Sequence, residues 1–215
     1  AGVAHAGFEG IQWTGLNKTV IAIFLSPMLG MLLAMLVMLI SSWALRRATA
    51  KTAESTFRFL HLFSSAAYSL SHGLNDAQKT MGIITVLLYS TGYLKGDFHI
   101  PHWVAISCYV AIALGTLSGG WKIIQTMGTR ITKLSQHQGF SASMGGSIMV
   151  FTASLLGIPV STTHTITGCI IGAGTARRTS AVRWGVASNV VTAWIITIPA
   201  SAAVGALFYG LTTLF

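Results

Sequence analysis

Charge is scarce in this 215-residue chain, and acidic charge is scarcest. Only 8% of the residues are charged, four being acidic and thirteen lysine or arginine, whereas 53% are hydrophobic. Soluble domains carry about a quarter charged residues, so this composition excludes both an ordinary soluble fold and a disordered chain. The two cysteines, Cys108 and Cys169, lie in apolar runs, which argues against a disulfide framework and a cysteine metal site. The sequence therefore predicts an integral membrane protein.

Long charge-free stretches define the predicted membrane spans. Residues 19–45 carry no charge, and as a helix they reach about 40 Å, enough to cross a hydrocarbon core of about 30 Å. Residues 103–121 and 184–215 predict two further spans. Residues 59–94 would reach about 54 Å and hold polar side chains at their middle, which favours a transmembrane helix broken at that point.

Basic residues predict the orientation of these spans. They form three clusters that we expect at the cytoplasmic face: Arg46, Arg47, Lys51 and Arg58; Lys122, Arg130 and Lys133; and Arg177, Arg178 and Arg183. Residues 142–176 then begin and end on the cytoplasmic side. Their first arm, 142–156, reaches only about 22 Å, so a re-entrant helical hairpin is predicted. Residues 1–18 are expected to be an extracytoplasmic lead-in to a membrane domain over 19–215.

A first polar motif lies in the middle of residues 59–94. It contains His72, Asn75, Asp76, Gln78, Lys79 and Thr80. A carboxylate at membrane depth costs at least about 2.5–3.5 kcal/mol, so Asp76 is expected to have a function there, as a cation ligand or a proton carrier. The simpler alternative is that Asp76 and Lys79 only neutralise each other. That alternative leaves the neighbouring polar side chains unexplained.

A second polar motif follows Pro159, at the predicted tip of the hairpin. Ser161 is expected to cap the next helix, and Thr162, Thr163 and His164 follow it. A helix N-terminus presents unpaired N–H groups and the positive end of the dipole, which together bind oxyanions. The alternative is an ordinary capped helix whose hydroxyls bond to their own backbone. Farther along, the glycines at 168 and 172 predict a close helix-packing face.

The two motifs together resemble a known family. SLSHGLNDAQKTMGII and GIPVSTTHTITGCIIGAG closely resemble the paired signatures of the inorganic phosphate transporter (PiT) family of secondary transporters. Members of that family carry two inverted repeats, each with one copy of both motifs. This chain has each motif once, in the form typical of the C-terminal repeat. The resemblance implies an all-α integral membrane fold that is one repeat of an inverted-repeat transporter.

The resemblance also implies a function and a set of site residues. It implies inward transport of inorganic phosphate across the plasma membrane, coupled to Na⁺ or H⁺, by alternating access in a multi-pass protein that is not an enzyme. The residues carried over are Asn75, Gln78, Ser161, Thr162 and Thr163 for phosphate, Asp76 with Asn75 for Na⁺ or the proton, and His72, Lys79, Thr80 and His164 in support. Beyond the coupling ion no cofactor or metal is expected. The expected partners are phosphate, the bilayer, the missing N-terminal repeat and a second copy in a homodimer, with no nucleic acid.

Other interpretations stay open at this point. A membrane phosphate sensor or scaffold that transports nothing is one alternative, and the 215-residue chain alone is expected not to transport. An intramembrane hydrolase using Ser161, His72 or His164, and Asp76 is another, although the GxSxG elbow is absent. The coupling ion is also open, because Asp76 beside hydroxyls suits Na⁺ and Asp76 beside a histidine suits H⁺.

Overall fold

A computed structural model describes Val3 and residues 7–213, and all regular structure in this part of the chain is helical. The residues at 1, 2, 4–6, 214 and 215, which belong to the predicted lead-in and last span, lie outside it. The helices, in chain order, are α1 (Trp13–Ala44), α2 (Ala50–Ser90), α3 (His102–Ser118), α4 (Trp121–Gln125), α5 (Gln136–Leu155), α6 (Thr162–Arg177) and α7 (Trp184–Thr212). A π-helical turn, Thr126–Arg130, continues α4, and short 3₁₀ turns occur at Phe8–Gly10 and Thr179–Ala181.

Helix α6 packs tightly along α1 and runs parallel to it. A Cβ added at Gly168 would lie 2.1 Å from the Pro27 carbonyl oxygen, and one at Gly172 would lie 2.3 Å from the Met31 carbonyl oxygen. These distances are far shorter than any real contact, so only glycine permits this approach of the two backbones. The predicted close-packing face of residues 168 and 172 is therefore confirmed.

Helix α5 packs against α2 through aromatic and imidazole side chains. The Phe57 ring stacks on His137 with centroids 3.9 Å apart. One turn farther along α2, His61 Nδ1 lies 2.9 Å from Gln136 Oε1. Farther toward the C-terminal ends of both helices, the Tyr68 ring fills the space beside Gly146. Helices α2 and α5 thus run side by side in the same direction, and this contact carries the first polar motif toward the tip of the hairpin.

The turn between α5 and α6 has a recognisable cap at each side. Gly157 adopts a left-handed conformation with φ 63°, and the N–H groups of Gly157 and Ile158 bond back to Ser154 and Ala153. This pair of hydrogen bonds ends the helix and satisfies two carbonyl groups that would otherwise have no partner. Helix α6 begins four residues later, with the Ser161 hydroxyl accepting the His164 N–H at 3.4 Å. The predicted cap at Ser161 is confirmed.

The predicted break in the helix over 59–94 is wrong. Helix α2 runs without interruption from Ala50 to Ser90 through the whole first motif. Asp76 needs no break to be neutralised, because Lys79 and His72 reach it from one turn away on either side of the same helix. The hydroxyls of Ser64 and Ser71 bond to carbonyls of the preceding turn, and a helical glycine costs only about 1 kcal/mol.

Several predicted boundaries also shift. Helix α1 begins at Trp13, so part of the expected lead-in 1–18 is helical. Helix α5 begins at Gln136 rather than 142, because Ser135 and Gln138 form a reciprocal capping box. Its 20 residues reach about 30 Å, longer than the arm predicted from 142–156. The span predicted over 103–121 ends at Ser118, and the helix pair His102–Ser118 and Ile123–Arg130 is bent by 70°.

By length and composition, α1 and α7 are the two described helices apolar enough to cross a membrane, and the bent pair beginning with α3 would supply a third span. Helix α7 is exposed along almost its whole length, with Ala187 its one fully buried residue. Whether the α5–α6 hairpin is re-entrant remains a prediction.

The first and third basic clusters, with Arg130 and Lys133 of the second, lie at one end of the bundle. The Arg183 N–H donates to the Ile131 carbonyl at 2.8 Å, which ties the start of α7 to the segment before α5. On the other side of α5, the Ser41 hydroxyl lies 2.7 Å from His137 Nε2, which brings the end of α1 to the same level. This arrangement agrees with the common side expected for the basic residues.

Candidate functional site

Asp76 is the centre of the polar cluster. Its Oδ1 accepts a hydrogen bond from Lys79 Nζ at 2.8 Å, and its Oδ2 accepts one from the Thr162 hydroxyl at 2.9 Å. His72 Nδ1 lies 3.1 Å from the same Oδ2, close enough for an ion pair when the imidazole is protonated. The carboxylate is partly buried, with its side chain 28% exposed. Two of these partners come from α2 itself and one from α6.

Three hydrogen bonds join α2 to the start of α6. Besides the bond between Asp76 and Thr162, Lys79 Nζ donates to the Val160 carbonyl at 3.0 Å. The Tyr68 hydroxyl donates to the Thr162 carbonyl, also at 3.0 Å. The two polar motifs, which lie 86 residues apart at Asp76 and Thr162, therefore form one cluster.

Asn75 lies next to this cluster and is almost fully buried. Among the described residues, its Nδ2 has no hydrogen-bond partner. Most buried polar groups in proteins are paired, so a buried amide of this kind is a candidate donor to a ligand. The Nδ1 of His164 is buried and unpaired within the same part of the chain. The His164 ring stacks on Trp194 of α7 at 3.9 Å, which fixes its plane.

The hydroxyls at the start of α6 have different surroundings. Thr162 is buried and bonded to Asp76, and Ser161 is half-buried and caps the helix. Thr163 is exposed. The Ser161 hydroxyl accepts a backbone hydrogen bond, and no described contact joins it to His72 or to the His164 ring. The described geometry thus contains no Ser–His–Asp chain of the kind that a hydrolase requires.

Gln78 and Thr80 are the predicted site residues that the structure leaves apart from the cluster. Both are exposed, and no described hydrogen bond joins either of them to Asp76 or Thr162. Thr80 and Asp76 do share a cavity of about 490 Å³ between α2 and α3, which Ser107 and Cys108 also line. A larger cavity of about 770 Å³ lies beside it and is lined by Tyr68 and His72, among others. Open space thus adjoins the Asp76 cluster along the α2–α3 contact.

Tyr68 is the functional candidate that sequence reasoning missed. Residues 68, 72, 76 and 79 follow the spacing of one helix face, so the signal was present. This spacing indicates a shared face only if α2 is one continuous helix. A break at the motif would no longer place Tyr68 and Asp76 on the same face.

The cluster has two chemical capacities. The carboxylate of Asp76 and the hydroxyl of Thr162 are hard oxygen ligands of the type that a small cation prefers. The ammonium group of Lys79 and the first N–H groups of α6 are donors that suit an oxyanion. The arrangement therefore defines a membrane protein with a polar site between a long helix and the start of a hairpin helix.

Comparison with known proteins identifies the family. The family description "Phosphate transporter family" matches residues 44–205, so the chain belongs to the phosphate transporter family. A probable low-affinity inorganic phosphate transporter of Rhizobium meliloti is 60% identical over 97% of this chain and 63% of its own length. The protein of the same description from Bacillus subtilis is 38% identical over the same shares. The chain thus spans about three fifths of the length of these relatives.

A solved structure has the same fold. The structure titled "The sodium-dependent phosphate transporter" superposes with a TM-score of 0.84 and covers 100% of this chain and 70% of its own chain, at 24% sequence identity. The prediction of an all-α membrane fold in the inorganic phosphate transporter family is confirmed.

Proposed function

We propose that this chain is part of a secondary transporter that carries inorganic phosphate inward across the plasma membrane together with Na⁺ or H⁺. The observation that carries the proposal is the hydrogen bond between Asp76 of the first motif and Thr162 of the second. It places a carboxylate, a lysine and a helix N-terminus at one site. The relatives in Rhizobium meliloti and Bacillus subtilis, described as probable low-affinity inorganic phosphate transporters, support phosphate as the substrate.

In the proposed mechanism the cation and phosphate bind to opposite sides of the same cluster. Asp76, with Thr162 and Asn75, holds the cation or carries the proton. Lys79, the hydroxyls of Ser161 and Thr163 and the first turn of α6 hold phosphate, with His72 and His164 in support. The bound cation and a monovalent phosphate add no net charge to the Asp76–Lys79 pair, so the loaded site changes its access at a lower cost in free energy than a site with an unpaired charge. This is the basis for alternating access.

Phosphate uptake into proteoliposomes of the full-length protein tests the proposal. Uptake is measured separately under an imposed Na⁺ gradient and an imposed pH gradient, since the ion that drives accumulation is the coupling ion. Asp76→Asn is expected to abolish coupled uptake because the neutral amide neither holds Na⁺ well nor carries a proton. Asp97→Asn is the matched control, because its side chain lies in the exposed loop after α2. Equal uptake by both variants would refute the proposal.

The same measurement separates transport from sensing. A phosphate sensor or scaffold would bind phosphate in calorimetry yet accumulate none under either gradient. The assembly with a further repeat, or as a homodimer, is part of the proposal because the chain spans only part of its relatives' length.

A further inference from the structure

Four cationic side chains line a cavity far from Asp76, at the end of the bundle where α5 begins and α6 ends. The cavity has a volume of about 360 Å³ and is lined by Lys133, Arg177, Arg178 and Arg183, together with Thr132, Gln138, Ser180 and Ala181. All four cationic residues are exposed. The described ion pairs both belong to Asp76, so within this part of the chain none of the four cations is neutralised by a carboxylate.

Hydrogen bonds and close packing between elements of the fold hold the wall of this cavity in place. Gln138 is 1% exposed and donates from Nε2 to the Ala173 carbonyl at 3.2 Å, which joins the first turn of α5 to the last turns of α6. The Arg183 N–H bonds to the Ile131 carbonyl at 2.8 Å. Val182 packs so closely on Gly174 that a Cβ there would lie 2.8 Å from it. These hydrogen bonds and packing contacts hold together the segments that carry the four cations.

The charge arrangement favours a compact anion with several oxygens. Arginine donates in a planar fork that suits phosphate oxygens, and three of the four cations are arginines. The N-terminus of α5 and the C-terminus of α6 both lie at this cavity, so the two helix dipoles offset each other and the attraction for an anion comes from the four cations. Four like charges line one cavity, so a bound anion would reduce the repulsion between them. Setting membrane orientation alone would not require the charges to share one cavity.

We propose that this cavity binds a phosphate group, supplied either by the headgroup of an anionic lipid or by free inorganic phosphate. Basic pockets between helices at the membrane surface are suited to phospholipid headgroups. The site is distinct from the Asp76 cluster and does not depend on the proposed transport function. Because the cavity opens at the end of the bundle that carries the basic clusters, either source of phosphate reaches it from the cytoplasmic face.

The test compares two double variants of the full-length protein in a neutral detergent. Arg178→Gln with Arg183→Gln removes two cations from the cavity, and the Arg183 backbone bond is unaffected. Arg47→Gln with Arg58→Gln removes two arginines at the same end of the bundle but outside the cavity. Both pairs are exposed, so all proteins are expected to fold, which gel filtration and thermal unfolding check. Replacing Arg178 and Arg183 by lysine keeps the charge and is expected to restore most of the binding.

Two probes distinguish the sources of the phosphate group. Binding of dioleoyl phosphatidylglycerol is followed by native mass spectrometry against phosphatidylcholine. Binding of radiolabelled inorganic phosphate is followed by equilibrium dialysis in a Lys79→Gln background, which weakens the proposed phosphate site at the Asp76 cluster. We expect at least one probe to bind saturably and to bind about 30-fold more weakly to the Arg178, Arg183 variant only. Loss confined to the lipid identifies a headgroup site, and loss confined to inorganic phosphate identifies a free-anion site. Equal weakening by both double variants, or no saturable binding of either probe, would overturn the proposal.

Discussion

The Thr162 hydroxyl donates a 2.9 Å hydrogen bond to Oδ2 of Asp76. Thr162 is buried at the first turn of α6, and Asp76 lies near the middle of α2. The bond therefore joins the hairpin tip to the long helix at Asp76, which with Glu54 is one of the two acidic residues in the described α-helices. A movement of α6 relative to α2 would change the ligands of this carboxylate directly, which is the relation that coupled transport requires.

Lys79 neutralises Asp76 and also holds the hairpin tip through the Val160 carbonyl. Lys79→Gln is expected to reduce phosphate uptake about tenfold or more, because a hydrogen bond to a charged group is worth about 1.5–3 kcal/mol. Lys95→Gln removes an exposed lysine in the loop after α2 and is expected to leave uptake unchanged. Wild-type uptake by Lys79→Gln would show that the lysine has no part in the site.

Tyr68 supports the site by donating to the Thr162 carbonyl. Tyr68→Phe removes only the hydroxyl and is expected to lower stability by about 1 kcal/mol, the usual net value of one hydrogen bond. Tyr93 is 82% exposed, so Tyr93→Phe is the control and should not change the unfolding midpoint. Thermal unfolding in detergent measures both. A midpoint that shifts equally in the two variants would contradict a specific role of the Tyr68 hydroxyl.

Gly168 sets the distance between α6 and α1. Gly168→Ala would place a methyl group 2.1 Å from the Pro27 carbonyl oxygen and is expected to cost about 1–3 kcal/mol as the helices separate. Gly82→Ala is the control, because a Cβ at Gly82 meets open space and alanine is the better helix former by about 1 kcal/mol. Thermal unfolding should therefore shift downward for the first variant and stay level or rise for the second. The reverse order would mean that the α1–α6 contact is looser than described.

Much of this architecture could be predicted from local sequence. Ser161 was identifiable as a cap because Pro159 precedes it and hydroxyl residues suit that position, and the spacing of the glycines at 168 and 172 indicated a close contact. The two candidate membrane spans α1 and α7 follow from charge-free stretches, whereas the cap formed by Ser135 and Gln138 moves the start of the hairpin arm α5.

The prediction that was wrong and the contacts that were missed all depend on tertiary structure. The prediction of a broken helix rests on the length of residues 59–94, about 54 Å as one helix, and on the polar side chains at their middle. In the structure, Lys79 of the same helix neutralises Asp76, and the Thr162 hydroxyl of α6 donates a hydrogen bond to it. No local pattern shows that pairing, and Tyr68 could not be related to the site without it. The basic cavity also could not be predicted from local sequence, because Lys133 and Arg178 line one cavity only when the start of α5 and the end of α6 pack together.

The most direct test of the account is a double-mutant cycle on the thermal stability of the full-length protein in detergent, using Asp76→Asn, Thr162→Val and the two combined. Thr175→Val, whose hydroxyl bonds only within its own helix, replaces Thr162→Val in a control cycle. If the two motifs form one site, the double variant is expected to lose no more stability than Asp76→Asn alone, whereas the losses of the control pair add. Losses that add for Asp76 and Thr162, as for unconnected positions, would contradict a single joined site.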